Sequence, residues 1–286
     1  MKKILSYIKL MRPKHYIKNA LIFLPLFFSG QITNVNLLIK CIIAFVSFSL
    51  CASSIYIIND IKDVEKDRLH PKKRLRPIAS GDVSKVEAIV LFVSVVIFSI
   101  ISNALTGQPL NFMATWLPYL CYFFVNIFYC FKGKNIPIMD IAILASCYYL
   151  RVWYGASITG IAISDWLYLS IISVAFYLGL GKRRNEIEKM DKDKNTRKVL
   201  EYYNKSFLNN NMYMILGLGI VFYSLWCIQT NMLITVPLVI VLCMKYSLII
   251  EGDSDGDPVD AMLSDKVFLL LGLLLAVIMG WKLYFS

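Results

Sequence analysis

The sequence predicts an all-α integral membrane protein with about nine transmembrane helices. Hydrophobic residues occupy 58% of its 286 positions and the mean hydropathy is +0.61, whereas an apolar content of about 45–50% is typical of soluble domains. About nine apolar windows are long enough to cross roughly 30 Å of hydrocarbon. Lys and Arg residues are concentrated in alternate connections between those windows. These observations together indicate a chain that crosses a membrane many times.

The apolar windows follow one another along the whole chain. Most carry no charge in their centre, but the first has Lys18 near its start and the fifth contains Arg151. In sequence numbers, the nine windows are 16–32, 37–58, 86–104, 112–131, 138–160, 164–181, 211–230, 232–250 and 266–285.

The distribution of positive charge predicts the orientation in the membrane. Of the 30 Lys and Arg residues, all but Lys40, Arg151 and Lys282 lie in residues 1–18, or in alternate connections and the window ends next to them. We expect the protein to lie in the cell membrane, either the inner or the plasma membrane. By the positive-inside rule, its N-terminus and long connections face the cytoplasm. The net charge of +11 is therefore a signal of topology, and no nucleic-acid partner is expected.

We expect one transmembrane domain over 1–286 that begins with an amphipathic lead-in at 1–15 and is surrounded by membrane lipid. Pro13 ends the lead-in, and Lys18 and Asn19 follow about one turn inside the first window. Snorkelling of Lys18 to the membrane interface is one interpretation. The other is that Lys18 and Asn19 both point into a cytoplasm-facing cavity.

A polar stretch follows the second apolar window directly and opens a cytoplasmic loop, 59–85. If the helix continues past Ile58, its 100° step places four side chains within roughly 100° of one another around the axis: Asn59, Asp60, Asp63 and Asp67. Because close carboxylates repel, a hard cation such as Mg²⁺ is their natural complement. Mg²⁺ usually completes its shell with water and substrate phosphates, so this face predicts a metal and diphosphate site. A solvated acidic helix end is the alternative.

The basic segment that comes next supports the metal and diphosphate interpretation. It contains Lys73, Arg74 and Arg76, and its prolines and Gly81 indicate a loop. Lys and Arg can bind the phosphate oxygens that a metal leaves free. Electrostatic attraction to anionic lipid would explain these cations but not the acidic face beside them.

A short turn before the fifth window carries Lys134, and Asp140 follows at a helix start. Asp140 suits a helix N-terminus simply through its charge. Arg151 lies eleven residues further on, roughly 16 Å deeper at helical rise. An ionisable group at that depth faces protein or a polar cavity, so both a helix-locking ion pair and a ligand role are consistent with Arg151.

The second long cytoplasmic loop, 181–210, repeats the arrangement of the first, with an apolar helix that ends in a polar cluster. Here cations lead the cluster, with Lys182 and Arg183 followed by Glu186, so we expect it to face ligand oxygens directly. The two clusters lie four windows apart. This offset predicts two related halves around a central cytoplasm-facing cavity.

The motif Asn59-Asp60-x-x-Asp63-x-x-x-Asp67, at the cytoplasmic end of the second of nine spans, resembles the UbiA superfamily of intramembrane prenyltransferases. Members that prenylate aromatic acceptors carry D-x-x-x-D after span six, whereas this chain has Lys182-Arg183-x-x-Glu186. It is instead similar to the branch that transfers phosphoribosyl groups to decaprenyl phosphate. Further shared motifs begin at Arg12-Pro13, His70-Pro71, Pro137 and Leu150-Arg151.

The resemblance implies a fold, a reaction and a set of site residues. The fold is UbiA-like, and the two cytoplasmic loops form the active site. The reaction is Mg²⁺-dependent transfer of 5-phosphoribose from phosphoribosyl pyrophosphate to a polyprenyl phosphate, as in cell-envelope biosynthesis. The implied metal ligands are Asn59, Asp60, Asp63 and Asp67, of which the three acids are also catalytic. The implied substrate-binding residues are Lys18, Asn19, Asn59, Lys73, Arg74, Arg76, Lys134, Asp140, Lys182, Arg183 and Glu186.

Two other functions are weighed against this one. The first is ordinary UbiA chemistry, in which an isoprenyl group moves from a diphosphate donor to an aromatic or other acceptor. The second is transport, which would require polar residues on both membrane faces, whereas the outer connections are short and almost without charge. A homo-oligomer is compatible with either enzymatic function.

Overall fold

The computed structural model describes residues 2–106, 112–190, 198–251 and 263–285, and no β-strand occurs in those ranges. A part of the expected loop 181–210, residues 191–197, lies outside them. The α-helices are α1 (Lys2–Met11), α2 (Leu24–Phe28), α3 (Val35–Lys62), α4 (Val64–Leu69), α5 (Lys85–Ala104), α6 (Phe112–Phe131), α7 (Met139–Thr159), α8 (Asp165–Met190), α9 (Lys205–Gln229), α10 (Val236–Glu251) and α11 (Lys266–Tyr284).

The helices confirm the predicted all-α membrane fold. Within the described ranges, 6 helices are long and apolar enough to cross a membrane: Val35–Lys62, Lys85–Ala104, Met139–Thr159, Lys205–Gln229, Leu233–Glu251 and Lys266–Tyr284. Two more of the predicted windows, 112–131 and 164–181, coincide with α6 and with the first part of α8. The protein is therefore a multi-pass membrane protein.

The first predicted window, 16–32, is not one straight α-helix. Its chain forms a 3₁₀ helix over Pro13–Phe23 and then the short helix α2. A 3₁₀ run of this length is uncommon, because its hydrogen bonds are poorly aligned. Contacts with α3 compensate: the Tyr16 hydroxyl lies 2.8 Å from Ser53 Oγ, and Asn19 Nδ2 donates to Ser49 Oγ at 2.9 Å.

A glycine allows the same 3₁₀ segment to approach α7 closely. A Cβ atom on Gly155 would lie 2.0 Å from the carbonyl oxygen of Ile22. Any side chain at position 155 would therefore collide with backbone, which cannot move aside as a flexible side chain can. The absence of a side chain at this one position lets the segment lie against the helix.

The chain divides into two compact units. The first comprises Met1–Phe27, Gln31–Phe131 and Leu150–Ile161, and the second comprises Phe28–Gly30, Lys132–Tyr149 and Ala162–Ser286. In the first unit α3 packs along α5, and in the second α8 packs along α9.

Each unit has a buried apolar cluster next to residues that the sequence singles out. In the first unit, Ile57 just before the acidic stretch and Val64 within it pack with Leu10, Ile78 and Val83. In the second unit, the cluster gathers side chains from α7, α8, α9, α10, the segment Lys198–Tyr202 and the residue that follows it: Ile141, Tyr177, Leu178, Leu180, Val199, Leu200, Tyr203, Leu208, Met212, Tyr246 and Ile250. Both clusters fix the backbone from which polar side chains project.

Candidate functional site

The acidic stretch of the first unit is divided between two helices. Helix α3 continues past Ile58 as far as Lys62, but Asp63 leaves the helical conformation with φ −92° and ψ 7°, and α4 begins at Val64. The expectation of one continuous acidic helix through Asp67 is therefore wrong. Ile57 and Val64, one on each side of the break, lie in the same buried cluster.

Asp60 and Asp67 nevertheless lie close together. Nη1 of Arg76 donates to Asp60 Oδ1 at 3.0 Å and to Asp67 Oδ2 at 2.7 Å, so one nitrogen bridges both carboxylates. Arg12 adds a second guanidinium, whose Nη2 lies 2.5 Å from Asp60 Oδ1. Both acids are buried, with Asp60 2% and Asp67 4% exposed. We call these four residues, Arg12, Asp60, Asp67 and Arg76, the acid–arginine cluster.

Burial affects the ionisation of Asp67 in this cluster. Burial raises the pKa of the Asp67 carboxyl above its usual value, and the neighbouring charge of Arg76 only partly opposes that shift. A buried carboxylate is costly unless a cation compensates it. The two acids therefore require positive charge beside them, and in this structure the two arginines supply it.

The donor chemistry of the cluster fits a divalent cation. Arg76 Nη1 occupies the kind of position, between two carboxylate oxygens, that a bound cation would take. The three predicted acids are not gathered into one group, since no three acidic, His or Cys side chains in the described ranges are grouped for metal binding. Asn59 and Asp63 are half-buried. Asp60 and Asp67 are thus the two predicted ligands that the structure brings together.

The basic segment after α4 is a loop, as predicted, with a short 3₁₀ turn over Lys73–Leu75. Its three predicted cations are placed differently: Arg76 turns inward to the acids, Lys73 is half-buried and Arg74 is exposed. His70 shapes the loop, because its Nδ1 accepts the backbone N–H of Lys73 at 3.3 Å.

Asn19 lies in a buried polar network and not on a ligand-facing surface. Its Nδ2 donates to Ser49, and its Oδ1 accepts from Arg151 Nε at 2.8 Å. Nη2 of Arg151 also donates to the Tyr122 hydroxyl at 3.1 Å, and its guanidinium lies 5.6 Å from the centre of the Phe48 ring. Both side-chain polar atoms of Asn19 are therefore occupied by protein groups, which argues against the expected substrate contact, and Arg151 holds Asn19 in place. Lys18, the neighbouring predicted residue, is half-buried.

The second unit contains a separate buried ion-pair group. Arg183 is 0% exposed, with its Nε 2.5 Å from Asp140 Oδ2 and its Nη1 2.6 Å from Glu186 Oε2. A buried guanidinium needs such carboxylate partners. The expectation that Arg183 faces ligand oxygens directly is therefore wrong for this arrangement. Lys182 and Lys134, the other predicted cations of this unit, are half-buried.

Tyr203 completes the group and was missed by the sequence analysis. Its hydroxyl donates to Asp140 Oδ1 at 2.6 Å and accepts the backbone N–H of Ile138 at 2.6 Å. Ile138 needs this support, because its φ of 66° is strained for a β-branched residue. Burial, together with the hydrogen bond to Asp140, raises the pKa of the Tyr203 phenol, so the phenol remains a donor at neutral pH. A tyrosine in a charged loop gives no sequence signal for this role.

A multi-pass helical membrane protein with an acidic motif and a basic loop at the end of a spanning helix belongs to a recognisable class. The model of the UbiA prenyltransferase family matches residues 20–272. The chain belongs to this family, as the acidic motif predicted, and it is therefore an enzyme of the transferase class.

Individual relatives narrow the comparison. The chain is 33% identical to a decaprenyl-phosphate phosphoribosyltransferase from Mycolicibacterium smegmatis, over 98% of this chain and 92% of the relative. It is also 33% identical to the enzyme of the same name from Corynebacterium glutamicum, over 93% of this chain and 83% of the relative. Among solved structures, a UbiA homolog from Archaeoglobus fulgidus bound to DMAPP and Mg²⁺ has a TM-score of 0.73 at 18% identity, covering 97% of this chain and 98% of that one. The structural likeness establishes the fold alone.

Proposed function

We propose that this protein transfers the 5-phosphoribosyl group of phosphoribosyl pyrophosphate to a polyprenyl phosphate lipid in a Mg²⁺-dependent reaction. One observation carries the proposal, namely the 33% identity, over almost the entire chain, to proteins named decaprenyl-phosphate phosphoribosyltransferase. The cationic cluster at Lys182 and Arg183, where aromatic prenyltransferases carry acids, supports the same donor. We also propose that the whole chain, 1–286, acts as one catalytic domain.

The proposed reaction is a substitution at C1 of the ribose. An oxygen of the lipid phosphate forms a bond to C1, and the bond from C1 to the diphosphate oxygen breaks, with the electron pair leaving on diphosphate. The attacking phosphate is already ionised near neutral pH, so the protein need not supply a strong general base. The task left to the protein is to offset the negative charge that develops on the leaving group.

The acids of the first unit are suited to that task. Asp60 and Asp67, with Asp63 and Asn59 beside them in sequence, would hold Mg²⁺. When bound, Mg²⁺ offsets the charge on the diphosphate oxygens and so makes diphosphate a better leaving group. Arg76 already lies at both carboxylates, from where its guanidinium can reach phosphate oxygens.

The remaining cations are assigned by their exposure. We assign phosphate binding to side chains that are half-buried or exposed, namely Lys18, Lys73, Arg74, Lys134 and Lys182. Arg183 is assigned a positioning role, because its guanidinium is bonded to Asp140 and Glu186. It would thereby fix the part of α8 that carries Lys182.

The proposal also places the acid–arginine cluster and the N-terminus on the cytoplasmic side. Phosphoribosyl pyrophosphate is a highly charged, water-soluble donor, so it can reach the site only from water. The bias of Lys and Arg toward that side of the chain supports this orientation.

A donor comparison with purified protein tests the proposal. Protein in lipid nanodiscs is incubated with Mg²⁺ and decaprenyl phosphate, together with either phosphoribosyl pyrophosphate labelled in the ribose or a labelled isoprenyl diphosphate. We expect a lipid-soluble labelled product from the ribose donor and none when decaprenyl phosphate is omitted. Product from the isoprenyl donor alone, with an aromatic acceptor supplied, would assign ordinary prenyl transfer instead.

A further inference from the structure

Arg12 has an unusual backbone conformation at a junction. It separates α1 from the 3₁₀ helix and lies in the left-handed region, with φ 55° and ψ 59°, immediately before Pro13. Residues with a Cβ rarely adopt this region, and the position before a proline is restricted further. Such strain, worth about 1 kcal/mol or more, persists only where surrounding contacts impose it.

The backbone on both sides of Arg12 is anchored to α3. Ser53 Oγ donates to the carbonyl of Met11 at 2.9 Å and lies 2.8 Å from the Tyr16 hydroxyl. Leu10, two residues earlier, is completely buried in the apolar cluster of the first unit. The main chain at Arg12 is thus held in place, and its conformation directs the side chain toward the end of α3.

The side chain itself is less enclosed than the carboxylate it contacts. Its guanidinium is bonded to Asp60 Oδ1 and lies 5.0 Å from the centre of the Tyr56 ring. The Arg12 side chain is 22% exposed, whereas Asp60 is almost completely buried. A solvent-facing guanidinium on a fixed backbone can exchange one partner for another without any change in the fold.

Arg12 and a metal ion would compete for the same oxygen. Arg76 also donates to Asp60 Oδ1, so a cation approaching this atom meets two positive charges. Arg76 keeps a second carboxylate, Asp67, while the ion pair described for Arg12 is with Asp60. Arg12 is therefore the guanidinium that a metal ion would displace at the lower cost.

We infer that Arg12 is an exchanging residue of the diphosphate site, an inference that rests on the proposed function for the identity of the donor. In the metal-free protein Arg12 neutralises Asp60. Once Asp60 is engaged by a divalent cation, the tethered guanidinium turns to an oxygen of the donor diphosphate, which it can bind in a charge-assisted manner. Arg12 thus weakens the binding of metal alone and strengthens the binding of metal with diphosphate.

These two effects have opposite signs, and binding measurements can separate them. Full-length Arg12→Gln protein in nanodiscs is titrated with Mn²⁺ alone, followed by electron paramagnetic resonance, and then with inorganic diphosphate at saturating Mn²⁺. We expect Mn²⁺ to bind the Arg12→Gln protein about threefold to tenfold more tightly than the unmodified protein, because a competing cation has been removed. We expect diphosphate to bind about tenfold more weakly, because a charge-assisted contact has been lost.

The control variant is Arg68→Gln, which removes the same charge from an exposed ion pair with Glu65 on α4. It should leave both affinities within about twofold of the unmodified protein. A fall in both affinities in Arg12→Gln would indicate a merely structural role, and unchanged affinities would exclude exchange; either result overturns the inference. Because neither probe contains ribose, opposite shifts in a protein that does not use phosphoribosyl pyrophosphate would support Arg12 exchange and refute only the proposed donor.

Discussion

Asp60 is the residue at which the physical constraints of the first unit converge. It is almost completely buried, yet it accepts hydrogen bonds from two guanidiniums on the same carboxylate oxygen. Burying one carboxylate next to another is unfavourable without positive charge close by. The position is therefore built to hold a cation, and the functional question is which cation occupies it at each stage of the reaction.

Asp60→Asn should abolish Mg²⁺-dependent turnover while leaving the protein folded. The change keeps the side-chain volume but removes the charge that would hold the metal, so we expect a loss of at least about 100-fold in turnover, larger than that caused by altering a supporting group. The measurement is turnover against Mg²⁺ concentration, with size-exclusion behaviour as the check on folding. Glu65→Gln makes an equal charge change at an exposed position of α4, and its turnover should stay within about twofold of the unmodified protein. Activity retained in Asp60→Asn would refute the metal assignment.

Asp140→Asn should destabilise the second unit. The substitution leaves Arg183 buried with only part of its compensating charge, and breaking a buried pair in this way costs about 3–5 kcal/mol. Thermal unfolding in detergent measures the effect. The matched change is Asp265→Asn, which removes a partly exposed ion pair with Lys245. Because Asn can still cap the helix, this change should lower the free energy of unfolding by less than about 1 kcal/mol. Equal shifts in the two variants would contradict the structural role of the buried pair.

At the level of single residues, sequence analysis predicts chemistry better than it predicts burial. It recognises Asp60 and Asp67 because like charges at helical spacing require an explanation. It assigns Asn19 and Arg183 to ligand contacts because their enclosure by protein groups depends on distant parts of the chain. Arg12 belongs to a motif shared with the family, but only its contact with Asp60 indicates what it does. Nothing in the sequence around Tyr203 predicts its contact with Asp140.

Among the elements, the 3₁₀ segment Pro13–Phe23 combines an irregular conformation with specific side-chain contacts. Tyr16 and Asn19 hold it to α3, and Gly155 gives it room against α7. Because these contacts fix the segment along its length, it can present Arg12 at one end and Asn19 near its middle in defined positions. The irregular helix is thus a rigid part of the first unit.

Gly155→Ala should destabilise the protein, because the new methyl group would overlap the Ile22 carbonyl. Overpacking of this kind costs about 1–3 kcal/mol or more when backbone must move. The matched control is Gly272→Ala in α11, where nothing lies within 4 Å of the added atom and better helix propensity should leave stability equal or slightly higher. Thermal unfolding of both variants in the same detergent is the measurement, and an unchanged Gly155→Ala protein would contradict the close approach.

Apolar windows predict the long helices well and their irregular ends poorly. Hydropathy identifies the α3 span because about twenty apolar residues suffice to cross the membrane. It does not reveal the break at Asp63, because the break lies beyond the apolar residues from which the span is recognised. Hydropathy also predicts a regular span over 16–32, because the side-chain contacts that stabilise a 3₁₀ helix have no periodic pattern of their own.

On the scale of the whole molecule, the outward-facing surface is strongly apolar. Large hydrophobic side chains are exposed along α3, α5, α9 and α10, among them Val46, Phe98, Leu218 and Val241. Apolar surface of that extent is found where lipid, not water, is the surrounding medium. The hydropathy of the sequence predicted this property directly, because it depends on composition and not on precise packing.

The orientation of the molecule stays a prediction, and single cysteines can test it. Lys72→Cys lies in the exposed basic loop, and Leu105→Cys follows the opposite end of α5. A membrane-impermeant maleimide should label Lys72→Cys only from the cytoplasmic face and Leu105→Cys only from the outer face. The native cysteines are buried or half-buried, so the unmodified protein should give little background, and the reverse labelling pattern would overturn the proposed orientation.

Helix α11 carries a consequence for the choice of lipid. Its 19 residues span about 28 Å at helical rise, only 6% of its most apolar window is buried, and exposed Trp281 stacks on Phe285 at its end. A helix with so little protein contact must adapt its tilt to the acyl chains around it, and the aromatic pair would set its depth. Reconstitution in bilayers much thinner than about 30 Å should therefore increase the tilt of this helix, because few protein contacts oppose that movement.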